Sequence, residues 1–136
     1  MMKALLVAVA AAAISVGGAS AQSNVKKTPI KPTSAANPQQ MFDSYCAACH
    51  GKDGTGHGPA ATALTKAPAD LTRITVRNGG TFPEVRVRRY IEGSDEVPAH
   101  GSRDMPMWGE LFRSLNRDTV ELRIAGLTDY LKAMQK

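Results

Sequence analysis

The sequence predicts an all-α domain that consists of three main helices and long loops. Apolar residues recur at helical spacing in three segments, and Gly- and Pro-rich stretches separate these segments. No segment shows a convincing β-strand alternation, and the nearest candidate, residues 71–76, is weak. A chain of 136 residues with 43% hydrophobic and 21% charged residues is long enough for one such domain. We place this domain at residues 38–136.

The first 21 residues have the organisation of a signal peptide. A basic start precedes an apolar run over residues 4–16, and a small-x-small sequence follows at residues 19–21. Cleavage is expected after Ala21, which predicts an exported, periplasmic protein. Membrane anchoring is not expected, because the apolar run is shorter than the ~20 residues of a membrane span. Residues 22–37 are polar and contain two prolines, which predicts a flexible linker.

The first helix is predicted from Pro38 to about Cys49. Asn37 is a typical N-cap residue, and proline is preorganised for the first helical turn. Apolar residues fall on one face of this helix, which predicts that the face is buried. They are Met41, Phe42, Tyr45 and Cys49.

The middle helix is predicted over about residues 82–92. Thr81 and Glu84 have the spacing of a capping box, and Gly93 is a typical helix terminator. The loops before and after this helix have about 17 to 30 residues, and loops of that length in a compact domain are usually functional.

The last helix is predicted from Asp118 to near Lys136. Asp118 and Glu121 have the spacing of a second capping box. Apolar residues then recur at steps of three and four, as expected for a helix with one buried face. They are Val120, Ile124, Leu127, Leu131 and Met134.

One short motif, Cys46-Ala47-Ala48-Cys49-His50, predicts the chemistry of the chain. In an exported protein, C-x-x-C-H is the signature of covalent haem attachment. Two thiols three positions apart on a helix can each form a thioether bond to the same porphyrin, and His50 then lies beside the iron. The porphyrin would also supply the large apolar group that a core with 5% aromatic residues lacks. The sequence therefore predicts one haem c, attached through Cys46 and Cys49.

Other uses of the two cysteines fit the sequence less well. A structural disulfide and a thioredoxin-like redox pair are compatible with export, but neither requires the following histidine. No βαβ pattern surrounds the motif either. A zinc site would need two further ligands, for which His57 and His100 remain.

A second axial ligand for the iron is expected between His100 and Gly109. This segment contains Met105 and Met107, and thioether ligation beside histidine is typical of electron-transfer haems. Met105 is the favoured ligand because the following proline stiffens the chain, while Met107 and His100 remain alternatives. Trp108 is a candidate for packing on the haem or for binding a propionate.

The sequence resembles the class I c-type cytochromes, specifically the small bacterial monohaem cytochromes whose distal segment reads M-P-x-W. The resemblance covers about residues 38–136. It rests on C-A-A-C-H-G (46–51), D-G-T-G-H-G-P (53–59), P-A-D-L-T (68–72), M-P-M-W-G (105–109) and L-T-D-Y-L (127–131).

This resemblance implies three main helices wrapped around one haem c, with His50 and Met105 as axial ligands. It also implies that the carbonyl of Pro59 accepts a hydrogen bond from the other ring nitrogen of His50. In this family the first and last helices cross, and an aromatic residue packs on a Leu-x-x-Tyr pair at the crossing. In this sequence these residues are Phe42, Leu127 and Tyr130.

The two axial ligands favour a single-electron carrier over an enzyme, because they leave no open site for a substrate on the iron. Its expected partners are a protein donor and a protein acceptor, such as membrane-bound or periplasmic respiratory enzymes. A cytochrome c subunit of a larger oxidase or dehydrogenase is an alternative. A haem sensor or peroxidase-like enzyme is another, but it would need an open or displaceable site. Nucleic-acid binding is not expected, because the net charge of +5 is modest and scattered.

Overall fold

The structure is a computed structural model that describes residues 30–94 and 105–136. The predicted signal peptide, residues 22–29 of the predicted linker and His100 lie outside the described residues. Six α-helices occur in the described ranges, and three 3-10 helices accompany them at Ala61–Ala63, Leu71–Arg73 and Arg117–Thr119. The α-helices are α1 (Pro38–Tyr45), α2 (Ala47–His50), α3 (Ile74–Arg77), α4 (Glu84–Glu92), α5 (Trp108–Leu115) and α6 (Val120–Ala133). No β-strand occurs in these ranges, which confirms the prediction of an all-α fold.

The predicted first helix is present, but it is divided at Cys46. Asn37 caps α1 as predicted, because its side chain accepts a hydrogen bond from the backbone N–H of Gln40 at 2.9 Å. Pro38 occupies the first turn. At Cys46 the backbone leaves ideal helical geometry (φ −111°, ψ −37°), and α2 begins one residue later. The attachment motif therefore spans the junction of two helices.

Both predicted capping boxes are wrong. The residue before α4 is Pro83, which makes no side-chain cap, and the helix begins at Glu84 rather than at residue 82. The start of the last helix is shifted as well, because Asn116 caps a 3-10 helix there by accepting from the backbone N–H of Asp118 at 2.9 Å. The predicted terminator is confirmed, since Gly93 ends α4 with a left-handed φ of +87°.

Helix α5 lies where the sequence predicted a loop and an unassigned stretch. Its apolar residues follow the helical spacing i, i+3, i+4 and i+7, so the periodicity was present in the sequence. They are Trp108, Leu111, Phe112 and Leu115. Phe112 is fully buried, which shows that α5 belongs to the core.

Helices α1 and α6 cross at the centre of the domain, as the resemblance implied. The rings of Phe42 and Tyr130 lie 5.3 Å apart, and Leu127 is buried beside them. A glycine on the last helix permits the close approach, since a Cβ at Gly126 would lie 3.2 Å from Cγ of Pro38. The predicted buried stripe of α6 is confirmed for Val120, Ile124, Leu127 and Leu131, and Met134 is partly buried.

The end of the predicted linker is packed on the domain. Thr33 is buried, and its backbone carbonyl and hydroxyl accept hydrogen bonds from Arg123 of α6 at 2.8 and 3.2 Å. Because this contact joins residues 90 positions apart, no local pattern in the polar segment could indicate it. The packed part of the chain therefore includes Thr33, which lies before the predicted boundary at residue 38.

Candidate haem site

The attachment motif forms a single helical turn that closes on Cys46. The carbonyl of Cys46 accepts hydrogen bonds from the backbone N–H groups of Cys49 at 3.1 Å and His50 at 2.9 Å. This i, i+3, i+4 arrangement places both thiols and the imidazole on one face of the turn. The two cysteines form no disulfide bond with each other, and both are partly buried. The turn therefore presents the groups that two thioether bonds and one axial bond require.

The environment of Cys46 does not suit a redox-active thiol. Burial, and secondarily the neighbouring Cys49, raises the pKa of the Cys46 thiol to about 12. A catalytic cysteine of a thioredoxin-like pair needs a lowered pKa, because the thiolate is the nucleophile. The setting of Cys46 therefore argues against a thioredoxin-like redox pair.

One ring nitrogen of His50 forms a hydrogen bond to a backbone carbonyl. The Nδ1 atom lies 3.0 Å from the carbonyl oxygen of Ala69, and since a carbonyl can only accept, Nδ1 carries the proton. Burial is the main cause that lowers the pKa of His50, which keeps the ring neutral. A neutral ring protonated at Nδ1 has its free electron pair on Nε2, the form that binds a metal.

A glycine-rich loop brings Ala69 to the imidazole. The backbone N–H of Leu71 donates to the carbonyl of Gly54 at 2.7 Å, and that of Gly56 donates to the carbonyl of His50 at 2.7 Å. A Cβ at Gly56 would lie 3.3 Å from the carbonyl carbon of Pro68, so a side chain there would push the P-A-D-L-T segment away. The absence of a side chain at Gly56 therefore allows this segment, and with it the Ala69 carbonyl, to reach the ring.

The structure differs from the implied role of Pro59. The acceptor for His50 is Ala69 rather than Pro59, because residues 58–60 lie along α2 instead. The backbone N–H of Gly58 donates to the carbonyl of Cys49 at 3.0 Å, and that of Ala60 donates to the carbonyl of Ala48 at 2.9 Å. Pro59 is exposed between these two bonds. It contributes to the loop that covers the motif.

An open groove of about 520 Å³ lies beside the attachment motif but is not formed by its reactive side chains. Ala47, Ala48 and Gly51 line it, and on a helical turn these positions lie opposite Cys46, Cys49 and His50. The remaining lining residues are Asp43, Lys52, Asp53, His57 and Pro59. The groove is therefore on the outer side of the motif.

The distal segment begins with two exposed methionines. Met105 is 44% exposed and Met107 is 37% exposed. A Cβ at Gly93 would lie 2.7 Å from both Cβ and Cγ of Met107, so the Met107 side chain starts directly against the end of α4. This contact leaves Met105 as the less constrained thioether. The third candidate, His100, lies outside the described residues.

Trp108 joins the distal segment to the core. Its ring centroid lies 5.7 Å from that of Tyr45 and 6.5 Å from that of Phe112, and the Tyr45 and Phe112 centroids are 5.8 Å apart. Such aromatic contacts stabilise beyond the area they bury. Tyr45 precedes Cys46 directly, so the aromatic cluster connects the attachment motif to the segment that contains Met105.

The residues present fit a haem. Two cysteines that form no disulfide share a face with a neutral imidazole whose Nε2 is available, and the distal segment contains the exposed thioethers of Met105 and Met107. Within the part of the chain that the structure describes, no three or more His, Cys, Asp or Glu side chains are grouped to hold a metal ion. A haem needs no such group, because the porphyrin supplies four nitrogen ligands to the iron.

Comparison with protein families gives a match over most of the domain. The family model described as "Cytochrome C oxidase, cbb3-type, subunit III" matches residues 33–121. The chain belongs to this family. It is a class I c-type cytochrome, and it carries haem c covalently attached through Cys46 and Cys49. No curated protein and no solved structure gave a match.

The function of this cytochrome is haem-based electron transfer, as for the family. Cytochromes of this type are typically exported. In residues 30–94 and 105–136, no helix has the length and apolar character needed to span a membrane.

Sequence reasoning missed several residues around the cytochrome's site. Ala69 acts through its backbone carbonyl, and no side-chain pattern marks such an acceptor. Thr33 and Arg123 meet only through tertiary packing. Phe112 had a detectable signal, because it belongs to the helical apolar pattern of α5.

Proposed function

We propose that this cytochrome is an exported single-electron carrier whose haem iron is bound by His50 and Met105. The observation that carries this proposal is the hydrogen bond from His50 Nδ1 to the Ala69 carbonyl, which leaves Nε2 available for the iron. When bound, haem c alternates between the ferrous and ferric states, so that one electron passes from a donor to an acceptor.

The chain's own residues perform three tasks in this proposal. Cys46 and Cys49 hold the porphyrin covalently, and the Ala69 carbonyl keeps the imidazole of His50 in the orientation and tautomer that bind iron. Met105 would supply the second protein ligand to the iron, and the contact of Met107 with the end of α4 supports this choice. Trp108 packs where the distal segment enters the core. With both axial positions filled, the protein is a carrier and not an enzyme.

The second candidate function is that of a subunit in a larger oxidase or dehydrogenase. It is favoured by the family itself, whose description names a subunit of a cbb3-type cytochrome c oxidase. Both candidates use the same haem chemistry. They differ in whether the partners are met by diffusion or are permanently bound; in both cases we propose periplasmic or membrane-bound respiratory enzymes as partners.

Ligand variants of the exported, haem-loaded protein test the axial assignment. The oxidised wild-type protein should show the weak far-red absorption band of a sulfur-to-iron bond, and Met105→Ala should abolish it. Met107→Ala is the matched control and should retain the band. The reverse result would identify Met107 as the ligand. If both variants keep the band, neither methionine is the ligand.

Gas binding and assembly separate the function classes. The reduced wild-type protein should not bind carbon monoxide readily, whereas Met105→Ala should bind it. Rapid binding by the wild type would show an open axial site and favour a sensor or peroxidase-like enzyme. Purification from the native host under mild conditions should yield the free 14.5 kDa chain, less its signal peptide, if it is a carrier. Consistent recovery within a larger complex would support the subunit.

A further inference from the structure

We propose that the segment before the first helix positions the distal methionine, through hydrogen bonds to the hydroxyl of Tyr45. This inference rests on the proposed ligation of the haem by Met105. It assigns a role in maintaining axial ligation to residues outside the haem motifs, namely Lys31, Thr33, Tyr45 and Arg123, which together form the Tyr45 network.

The hydroxyl of Tyr45 uses all of its hydrogen-bonding capacity within this network. It donates to the carbonyl of Lys31 at 3.2 Å, and it accepts from the backbone N–H of Thr33 at 3.2 Å and from the Thr33 hydroxyl at 3.0 Å. Tyr45 is 7% exposed and Thr33 is 9% exposed, so water cannot readily replace these partners. A buried hydroxyl with one donor and two acceptor positions filled is held in one orientation.

Arg123 fixes the other side of Thr33. Its guanidinium donates to the carbonyl and hydroxyl of Thr33, and its Cζ lies 5.8 Å from the centre of the Phe112 ring. The side chain is 5% exposed, and the contacts that the structure describes for it are to neutral groups. A buried cation is costly unless its donors are satisfied, so Thr33 and Arg123 each depend on the other's position.

The aromatic ring of Tyr45 transmits this restraint to the distal segment. The ring packs on Trp108 and Phe112, and Trp108 is three residues from Met105. Met105 itself is 44% exposed, so packing of its own side chain holds it only weakly. Its position relative to the iron is therefore set by where α5 begins, and the Tyr45 ring lies against the first residue of that helix.

Competition with imidazole for the ferric iron tests the inference, because imidazole binds only where the methionine has been displaced. Tyr45→Phe keeps the ring and removes the hydroxyl, and should increase the affinity for imidazole roughly five-fold, a factor that corresponds to about 1 kcal/mol. Thr33→Val removes the hydroxyl that donates to Tyr45 and accepts from Arg123, with little change of shape, and should also increase the affinity for imidazole. The decrease of the far-red band reports the displacement directly.

Tyr130→Phe is the matched control. It also removes one tyrosine hydroxyl, from a ring that packs on Phe42 rather than on Trp108, and should leave imidazole affinity unchanged. Equal affinity in the wild type, Tyr45→Phe and Thr33→Val would overturn the inference, even if thermal stability falls. If Tyr45→Phe does not yield folded haem protein, the imidazole affinity of Thr33→Val alone tests the inference. A wild type without the far-red band would overturn the proposed Met105 ligation as well, which separates the two failures.

Discussion

The two sides of the haem site are held in different ways. On the proximal side, His50 lies in a network of backbone hydrogen bonds between α2, the glycine-rich loop and residues 68–71. On the distal side, Met105 and Met107 are exposed, and the segment is held by the packing of Trp108 on Tyr45 and Phe112. Backbone bonds close to the motif hold His50, whereas side chains from distant parts of the chain hold the segment that contains the proposed ligand Met105. Changes on the proximal side should therefore affect cofactor retention and stability, and changes on the distal side should affect axial ligation.

The largest effect is expected from removing the covalent attachment. Simultaneous Cys46→Ala and Cys49→Ala substitutions should abolish retention of haem after denaturation, because no thioether bond can form. Mass spectrometry of the denatured, mature protein checks this, and in the wild type it should show one added haem and no residues 1–21. Haem that stays with the double variant after acid–organic extraction would contradict the attachment site.

Alanine at Gly58 and at Gly109 compares the two sides directly. A Cβ at Gly58 would lie 2.6 Å from the carbonyl oxygen of Ala47, and one at Gly109 would lie 2.6 Å from that of Glu92. Overpacking of this kind costs about 1–3 kcal/mol. At Gly109, the second residue of α5, alanine regains some helix propensity, up to about 1 kcal/mol.

We therefore expect Gly58→Ala to lower the free energy of unfolding more than Gly109→Ala, as measured by urea titration. The far-red band should respond in the opposite order, since Gly109 is on the distal side. A greater loss of stability in Gly109→Ala would show that the distal segment is held as firmly as the proximal loop.

A smaller effect on stability is expected from substituting Asp70, which follows Ala69, the residue whose carbonyl accepts the hydrogen bond from His50. Its carboxylate accepts from the hydroxyl and backbone N–H of Thr72, and the hydroxyl is the main cause that lowers the pKa of Asp70. A lowered carboxyl pKa stabilises the fold fully above the ordinary value of about 4, and this contribution is lost as the pH falls through the lowered value. Asp70→Asn should lower stability by less than about 1 kcal/mol at pH 7.

Urea titrations at several pH values check this prediction. The difference between wild type and Asp70→Asn should shrink as the pH falls below about 4, where the unfolded carboxyl is protonated, and should reach its minimum below the lowered pKa of the folded Asp70. A difference that stays constant with pH would show that the charge of Asp70 is not what stabilises the segment around Ala69.

The smallest effect is expected outside both sides of the site. Arg88 of α4 and Glu121 of α6 form an ion pair at 2.8 Å, with side chains that are 34% and 76% exposed. Exposed pairs contribute little, so Arg88→Gln should lower the free energy of unfolding by about 0.5 kcal/mol or less and leave the far-red band unchanged. A larger loss would indicate that contact between α4 and α6 also controls the haem site.

The sequence by itself determined the all-α fold, the face of α1, the buried stripe of α6 and the attachment motif. These features are local, because helical periodicity and the C-x-x-C-H spacing are set by residues within one or two turns of each other. Gly93 as a terminator belongs here too, since its left-handed φ is a property of a single residue.

The tertiary structure decided which backbone carbonyl reaches His50, where the packed domain begins and what holds the distal segment. Ala69, Thr33 and Arg123 carry no local signal for these contacts, because the Ala69–His50 and Thr33–Arg123 bonds join residues 19 and 90 positions apart. The starts of α4 and α6 also depended on context. Pro83 precedes α4 without a side-chain cap, and a 3-10 helix capped by Asn116 precedes α6, so neither predicted capping box forms. Local spacing can specify which groups bind a cofactor, but the bonds that orient those groups form only when distant segments pack together.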